Sequence, residues 1–432
     1  MQGLLNRGLT LLVNNSVGQG LAFLTSVAIG RVLGATAFGQ YAAVMAMVFV
    51  LGMVAEAGLE ASLTREVARR PERSRALLAA SLRAKGALGG SFALLLAVPP
   101  LAEILAPDPG AVGAIRLSGV LLALNAANSS FAALFRAWGK MRYVLLVNLT
   151  GLAVQLAGVL AVLLLAPTVT ALVAWLILVQ VGELLGGMAL FRRGEAQIAR
   201  EGTAPAPGGS PGTSPMDSTV ALLRRSLPFA LAGVLGALQL RVDLFLVEAL
   251  RGPAEVAMFS VAARLQGLLT LAPASFFAVL FPALAAAHGE SGSMAGERLY
   301  GRALVRMALA GCAAVAVGLA LADVLVVVAF GRAYAAAALP LRILAVQAVP
   351  FLLNTTTTLH LYTTGREKLA NSTAALNVAL RLVFGWSLVR LWGAPGAAVA
   401  DLAAEGVVLA AYWANGVMRE AGGVYRVAEV AR

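Results

Sequence analysis

Three arginines, Arg241, Arg264 and Arg381, lie deep inside long apolar stretches of a 432-residue chain whose other 30 Lys and Arg (33 − 3) fall between such stretches or towards their ends. A guanidinium is always ionised, and its fork of donors grips phosphate oxygens two at a time. Placed near mid-membrane it costs about 2.5–3.5 kcal/mol, so it must face protein or a wet cavity. Two chemistries then compete: capture of an anionic headgroup such as a diphosphate, or ion pairing with carboxylates on neighbouring helices. The carboxylates available inside the stretches are Glu56, Glu60, Glu183, Asp243, Asp401 and Glu405. Counting back from the intervening turns sets Asp243 level with Arg264, and Arg381 level with Glu405, with Asp401 one turn further out. Arg241 and Asp243 are two residues apart, about 200° around a helix, and cannot simply neutralise each other. Glu248 shares the Arg241 face but lies roughly 10 Å along the axis. Arg241, Arg264 and Arg381 are therefore the candidate headgroup ligands. Asp243, Asp401, Glu405 and Glu183 are candidates for pairing or for carrying a coupling H+ or Na+. Glu56 and Glu60 are expected to meet the arginines that follow them.

Uncharged polar residues cluster in the first stretch (Asn14, Asn15, Ser16, Gln19), the fourth (Asn125, Asn128, Ser129) and the tenth (Asn354 to Thr358, with His360). Cavity lining and interhelical hydrogen bonding both fit them, with Asn15, Gln19, Asn128 and Asn354 the leading cavity candidates. Two histidines, His288 and His360, are too few for a histidine metal or catalytic cluster. No catalytic residue, metal site or cofactor is expected. Without a G-x-x-x-x-G-K-[ST] segment the chain itself should not use ATP. The lone Cys312 forms no intramolecular disulfide.

The elements that must position these side chains are twelve apolar stretches: 9–30, 39–61, 86–106, 112–136, 143–166, 168–191, 224–249, 257–286, 302–322, 336–362, 369–391 and 396–418. Each approaches the roughly 20 helical residues that cross a bilayer. With 60% hydrophobic and 12% charged residues and a mean hydropathy of +0.84, the expected class is an all-α integral membrane protein. The first stretch is too long for a signal-peptide core and reads as a retained helix. Of the 33 Lys and Arg, 24 lie in the N-terminus, every second gap and the C-terminus, and six in or beside the other gaps. That alternation puts both termini in the cytoplasm. The formal charge of +12 then sits at membrane edges, where it argues against nucleic acid. The most basic gap, 62–85, suits an anionic leaflet or serves as a topological anchor. Trp138, Trp392 and Trp413 sit at span ends, where interfacial anchoring accounts for them. Gly182 and Gly186 have the spacing of a close helix approach.

A Pro/Gly/Ser-rich segment within 192–223 splits the stretches into lobes of six, 1–191 and 224–418, with a cytoplasmic tail at 419–432. The lobes resemble each other. Gly34 to Tyr41 after the first stretch is matched by Gly252 to Phe259 after the seventh, an offset of 218 (252 − 34). Trp138-Gly-Lys-Met-Arg142 is matched by Thr364-Gly-Arg-Glu-Lys368. An even number of spans per repeat keeps the orientation, so the repeats are parallel, a transporter architecture with the substrate held centrally between them.

On Gly30-Arg-Val-Leu-Gly-Ala-Thr-Ala-Phe-Gly-Gln-Tyr41, Glu56-Ala-Gly-Leu59 and Thr64-Arg-Glu-Val-Ala-Arg69, the chain resembles the polysaccharide biosynthesis (O-antigen flippase) family. That family belongs to the multidrug/oligosaccharidyl-lipid/polysaccharide (MOP) exporter superfamily. Leu240-Arg-Val-Asp243, Met258 to Leu265, Leu280-Phe-Pro-Ala283, Phe330-Gly-Arg-Ala-Tyr334 and Gly393-Ala-Pro-Gly-Ala-Ala398 carry the likeness through the second half. The resemblance implies two six-helix lobes around a central cavity. It also implies a flippase that turns a lipid-diphosphate-linked oligosaccharide outward across a bacterial or archaeal cytoplasmic membrane by alternating access. Its partners would be that lipid-linked glycan, membrane lipids and other polysaccharide-assembly proteins. The Glu248-Ala-Leu-Arg-Gly252 turn departs from the small residues usual there. Twelve spans leave no additional C-terminal pair like that of the lipid II flippases. A multidrug or small-molecule exporter is the rival within the superfamily. A membrane glycan polymerase or ligase is the rival outside it, but the outer gaps are too short and sparsely charged for one.

Overall fold

The computed structural model describes residues 2–56, 58–99, 103, 109–200, 219–290 and 293–418, with side chains described from residue 18 and over most of that range. Among these residues the chain is α-helical, without strands. The helices are α1 (Gln2–Glu56), α2 (Leu59–Arg69), α3 (Ser74–Ala97), α4 (Pro109–Ala137), α5 (Met141–Leu165), α6 (Val169–Arg200), α7 (Thr219–Arg251), α8 (Pro253–Leu269), α9 (Leu271–Glu290), α10 (Ser293–Phe330), α11 (Ala338–Thr363), α12 (Glu367–Trp392) and α13 (Ala394–Ala414). Eight described segments are long and apolar enough to cross a membrane: one within α1, α4, α5, α6, α10, a segment spanning α11, α12 and α13. This is an all-α membrane protein.

The twelve stretches map onto these helices, with differences that have local causes. The first two share α1, which breaks at Gly34 (φ 77°, ψ 175°), a conformation that only glycine adopts readily. The second stretch ends at Glu56. Gly58, left-handed at φ 66°, turns the chain into α2, whose Leu59, Leu63 and Val67 form one buried stripe among charged residues. The basic gap therefore starts as an amphipathic helix. The eighth stretch divides into α8 and α9 at Thr270, three residues before Pro273, which has no N–H to continue the ladder. Helix α6 continues to Arg200 and α7 begins at Thr219, so the linker is shorter than the sequence suggests. Residues 201–218 and the tail from 419 lie outside the described residues.

Backbone geometry bears the repeat out. Gly252 (φ 80°, ψ −178°) has nearly the conformation of Gly34. Gly139 and Gly365, which end α4 and α11, sit at φ 70° and 72°. Polar packing repeats as well. Asn128 of α4 donates to both the backbone oxygen (3.0 Å) and Oε1 (2.5 Å) of Gln180 on α6. At an offset of 226 (354 − 128), Asn354 of α11 donates to the backbone oxygen (2.9 Å) and Oε2 (2.7 Å) of Glu405 on α13.

The described residues form two compact units, one drawn from 13–33 and 44–237, the other from 2–12, 34–43 and 238–418. In the first, α3 and α4 approach through glycines. A Cβ on Gly89 would lie 2.7 Å from the Ala123 Cα, and one on Gly119 would lie 2.5 Å from the Ala93 Cα. Gly182 and Gly186, the pair expected to mediate a close approach, have nothing within 4 Å. The spacing alone misplaces that contact because it does not say which face of α6 is lined. In the second unit, Phe38 packs against Phe330 and Tyr334 at 5.9 and 6.0 Å. Arg251 donates to the oxygens of Val389, Arg390 and Leu391 at the end of α12, while Glu255 accepts from the Ala394 N–H (2.8 Å) at the start of α13. Arg251 of the unusual Glu248-Ala-Leu-Arg-Gly252 turn, together with Glu255, thus complements the opposed helix termini of the α12–α13 turn.

Candidate functional site

In the second unit Arg381 is buried within one cluster. Its Nε donates to Asn377 Oδ1 (2.8 Å), one terminal nitrogen to the Gln239 backbone oxygen (3.1 Å) and Asp243 Oδ2 (2.7 Å), and the other to Glu405 Oε1 (3.1 Å) and to Asp401. Asn377 also reaches Glu405 (3.1 Å), and Gln266–Gln347–Asp401 continue the chain of bonds at 3.1 and 3.4 Å. Asp243, Asp401 and Glu405 are all buried, so three carboxylates converge on one guanidinium. With every group ionised the formal charge is −2 (1 − 3). Such an excess is costly in a low dielectric unless protons or a cation offset it.

The depth match thus brings Arg381 to Glu405 and Asp401. It misassigns Asp243, which goes to Arg381 on α12 rather than to Arg264 on α8, because depth along a helix carries no information about rotation around it. Arg264 is half-buried, lies 5.8 Å over the Phe38 ring and is within electrostatic range of Tyr41 and Arg241. Among the described residues no carboxylate lies within ion-pair distance of Arg264. Two guanidiniums therefore sit near each other in a part of the unit where aromatic residues, not acids, face Arg264. Like charges brought together cost energy unless an anion or solvent lies between them.

In the first unit a cavity of about 230 Å³ is lined by Asn125, Asn128, Ser129, Asn148 and Glu183, with Phe131 and Phe135 among its apolar residues. Arg136 and Glu60, on its rim, form an ion pair. The arginines after Glu60 were its expected partners, but α2 turns Glu60 toward α4 instead. Glu56 lies near Lys85 and Arg136. Lys85, counted among the basic residues of the gap, is wholly buried and donates to Ser129 Oγ (2.5 Å). Its position at the apolar start of a stretch, in a helix extended back to Ser74, was the available signal. The Asn14, Asn15 and Ser16 side chains lie outside the described residues, and Gln19 is exposed. His360 stacks on Tyr300 at 4.1 Å, with His288 5.3 Å away. Trp392 and Trp413 are exposed, whereas Trp138 stacks on Phe191 at 5.6 Å and bonds Ser74. Among the described residues no group of three or more His, Cys, Asp or Glu could hold a metal ion.

Solved structures share this fold. An inward-facing multidrug resistance MATE family transporter of the MOP superfamily superposes with a TM-score of 0.75 at 18% identity, over 95% of each chain. Its outward-facing counterpart gives 0.67 at 18%, over 97% of this chain and 96% of that one. A MOP superfamily transporter from Pyrococcus furiosus Vc1, for which a binding pocket of reverse polarity suggests a different function, gives 0.67 at 17%, over 96% and 95%. The molecule therefore has the fold of the MOP-superfamily transporters. The family model for polysaccharide biosynthesis proteins matches residues 4–288, and the chain belongs to that family. No curated protein matches it in sequence.

Proposed function

We propose that the protein is a flippase that carries a lipid-diphosphate-linked oligosaccharide from the inner to the outer leaflet of the cytoplasmic membrane by alternating access. Arg264 and Arg241 would hold the diphosphate, and the carboxylates around Arg381 would carry a coupling H+. The carrying observation is the different company the arginines keep. Arg381 is met by three carboxylates, whereas Arg264 has an aromatic ring and a second guanidinium beside it and no acidic partner among the described residues. An arginine with no acidic partner among the described residues, as Arg264 is, suits a phosphate-bearing substrate, to which arginine binds bidentately. Membership of the polysaccharide biosynthesis family supports a glycan as the cargo.

The MATE-type neighbours support a second reading, export of small molecules, as readily as the fold supports the first. The polarity at Arg264 favours an anionic substrate over a cationic drug, and the reverse-polarity pocket of the Pyrococcus furiosus relative offers a precedent for such divergence. Arg264→Glu and Arg264→Ala should abolish surface glycan and accumulate its lipid-linked precursor at unchanged protein level. Normal surface glycan with Arg264→Glu would remove the diphosphate assignment.

A further inference from the structure

The 230 Å³ cavity of the first unit is not used by the diphosphate reading. Its volume is that of roughly eight waters, the scale of one sugar ring rather than of a lipid or a long glycan. Its polar wall is mostly uncharged. Asn125 and Asn148 are exposed and, among the described residues, make no hydrogen bond, while Asn128 is anchored to Gln180. The cation in its lining, Arg136, is ion-paired with Glu60, and Lys85, which bonds the lining residue Ser129, has the Glu56 carboxylate near it, so the positive charges beside the cavity have protein counter-charges.

The remaining charge is Glu183. Among the described residues its carboxylate has no donor partner, and it packs against the Gly151 backbone where any Cβ would displace it. An amide offers two donors and an acceptor, a carboxylate up to four acceptor sites. Together they match vicinal hydroxyls, each of which both donates and accepts. Phe131 and Phe135, packed into the aromatic core, close off part of the same cavity and keep its volume fixed.

We propose that this cavity is a saccharide subsite that receives one neutral sugar ring of the cargo, with Glu183, Asn125 and Asn148 binding its hydroxyls. The assignment rests on the flippase reading and adds to it a part of the chain that recognises the glycan rather than the diphosphate. A cavity built only to conduct protons would need Glu183 but not the flanking amides, and this sets the test.

The probe is the free oligosaccharide released by mild acid from the lipid-linked intermediate that accumulates when the gene is deleted. Its binding to the full-length purified protein is followed by calorimetry. The wild type should bind it saturably. Asn148→Leu should weaken it about fivefold, the worth of one neutral hydrogen bond, and Glu183→Gln about tenfold or more, as for a bond to a charged group. Arg264→Ala should leave this binding unchanged, since it lacks the diphosphate. Oligosaccharide binding that is absent from the wild type, or indifferent to both cavity substitutions, overturns the subsite, as does tetraphenylphosphonium binding there in its place. If deletion accumulates no intermediate, the flippase reading itself fails. Accumulation together with indifferent binding removes only the subsite.

Discussion

Arg381→Ala should be the most damaging single substitution in the second unit, and its cost follows from the charges around it. The wild-type cluster carries a formal −2, and removing the guanidinium makes it −3 while deleting every bond that Arg381 makes to Asn377, Gln239, Asp243, Asp401 and Glu405. Removing one member of a buried ion pair costs about 3–5 kcal/mol. Three stranded carboxylates place this case at the upper end. At about 2–4 °C per kcal/mol for a unit of this size, the apparent Tm should fall by about 10–20 °C. The assay is thermal loss of the monodisperse peak of detergent-purified protein in size-exclusion chromatography. Two comparisons make the reasoning refutable. Asp401→Asn moves the formal charge from −2 to −1 and should cost little. Arg381→Met combined with Asp243→Asn, Asp401→Asn and Glu405→Gln removes all charge and should recover most of the loss, because a neutral, filled site carries no desolvation cost. Arg381→Ala melting with the wild type would refute the account, as would a neutral quadruple variant no better than the single one.

Gly34→Ala and Gly252→Ala should each lower stability by about 1–3 kcal/mol in the same assay, because both place a side chain in a glycine-only backbone region; Gly182→Ala and Gly186→Ala should be neutral or gain up to about 1 kcal/mol from helix propensity. Gly89→Leu or Gly119→Leu should abolish monodisperse expression, since α3 and α4 meet backbone to side chain there, and normal yield of either variant would show that the helices can part without loss.

Much of the fold was legible because a bilayer imposes length and apolarity on each helix. The number and order of the apolar stretches come from that signal, and the Gly34–Gly252 repeat from the matching turn sequences that follow the first and seventh of them. Rotation around each helix was not legible. The sequence puts Asp243 at the depth of Arg264, yet Asp243 faces α12; it gives Gly182 and Gly186 the right spacing for a contact, yet they face open space. A strongly apolar helix has little amphipathic bias to mark its buried face, so partner choice depends on packing among several helices at once. Where a bias exists, as in Leu59, Leu63 and Val67 of α2, the face could have been read, and reading it would have turned Glu60 toward α4.

The internal repeat also separates scaffold from function. If the charges of the second unit were needed to build the six-helix fold, the first half should carry charges at the corresponding positions. At offset 218, Arg241, Asp243 and Arg264 correspond to Phe23, Thr25 and Ala46; at offset 226, Arg381 and Asp401 correspond to Gln155 and Trp175, and Glu405 is matched by Gln180 (405 − 180 = 225), the residue that accepts the same pair of bonds from Asn128. None of these is charged, while Asn128 and Asn354, which bond the fourth helix of each repeat to the sixth, are kept. The traffic runs the other way too: Glu183 and Asn148 of the first-unit cavity correspond to Leu409 and Ala374. The same helices therefore form with or without each charged set. Each costly buried charge is private to one half, which is the pattern expected if one repeat handles an anionic headgroup and its coupling ion while the other handles the neutral part of the same cargo.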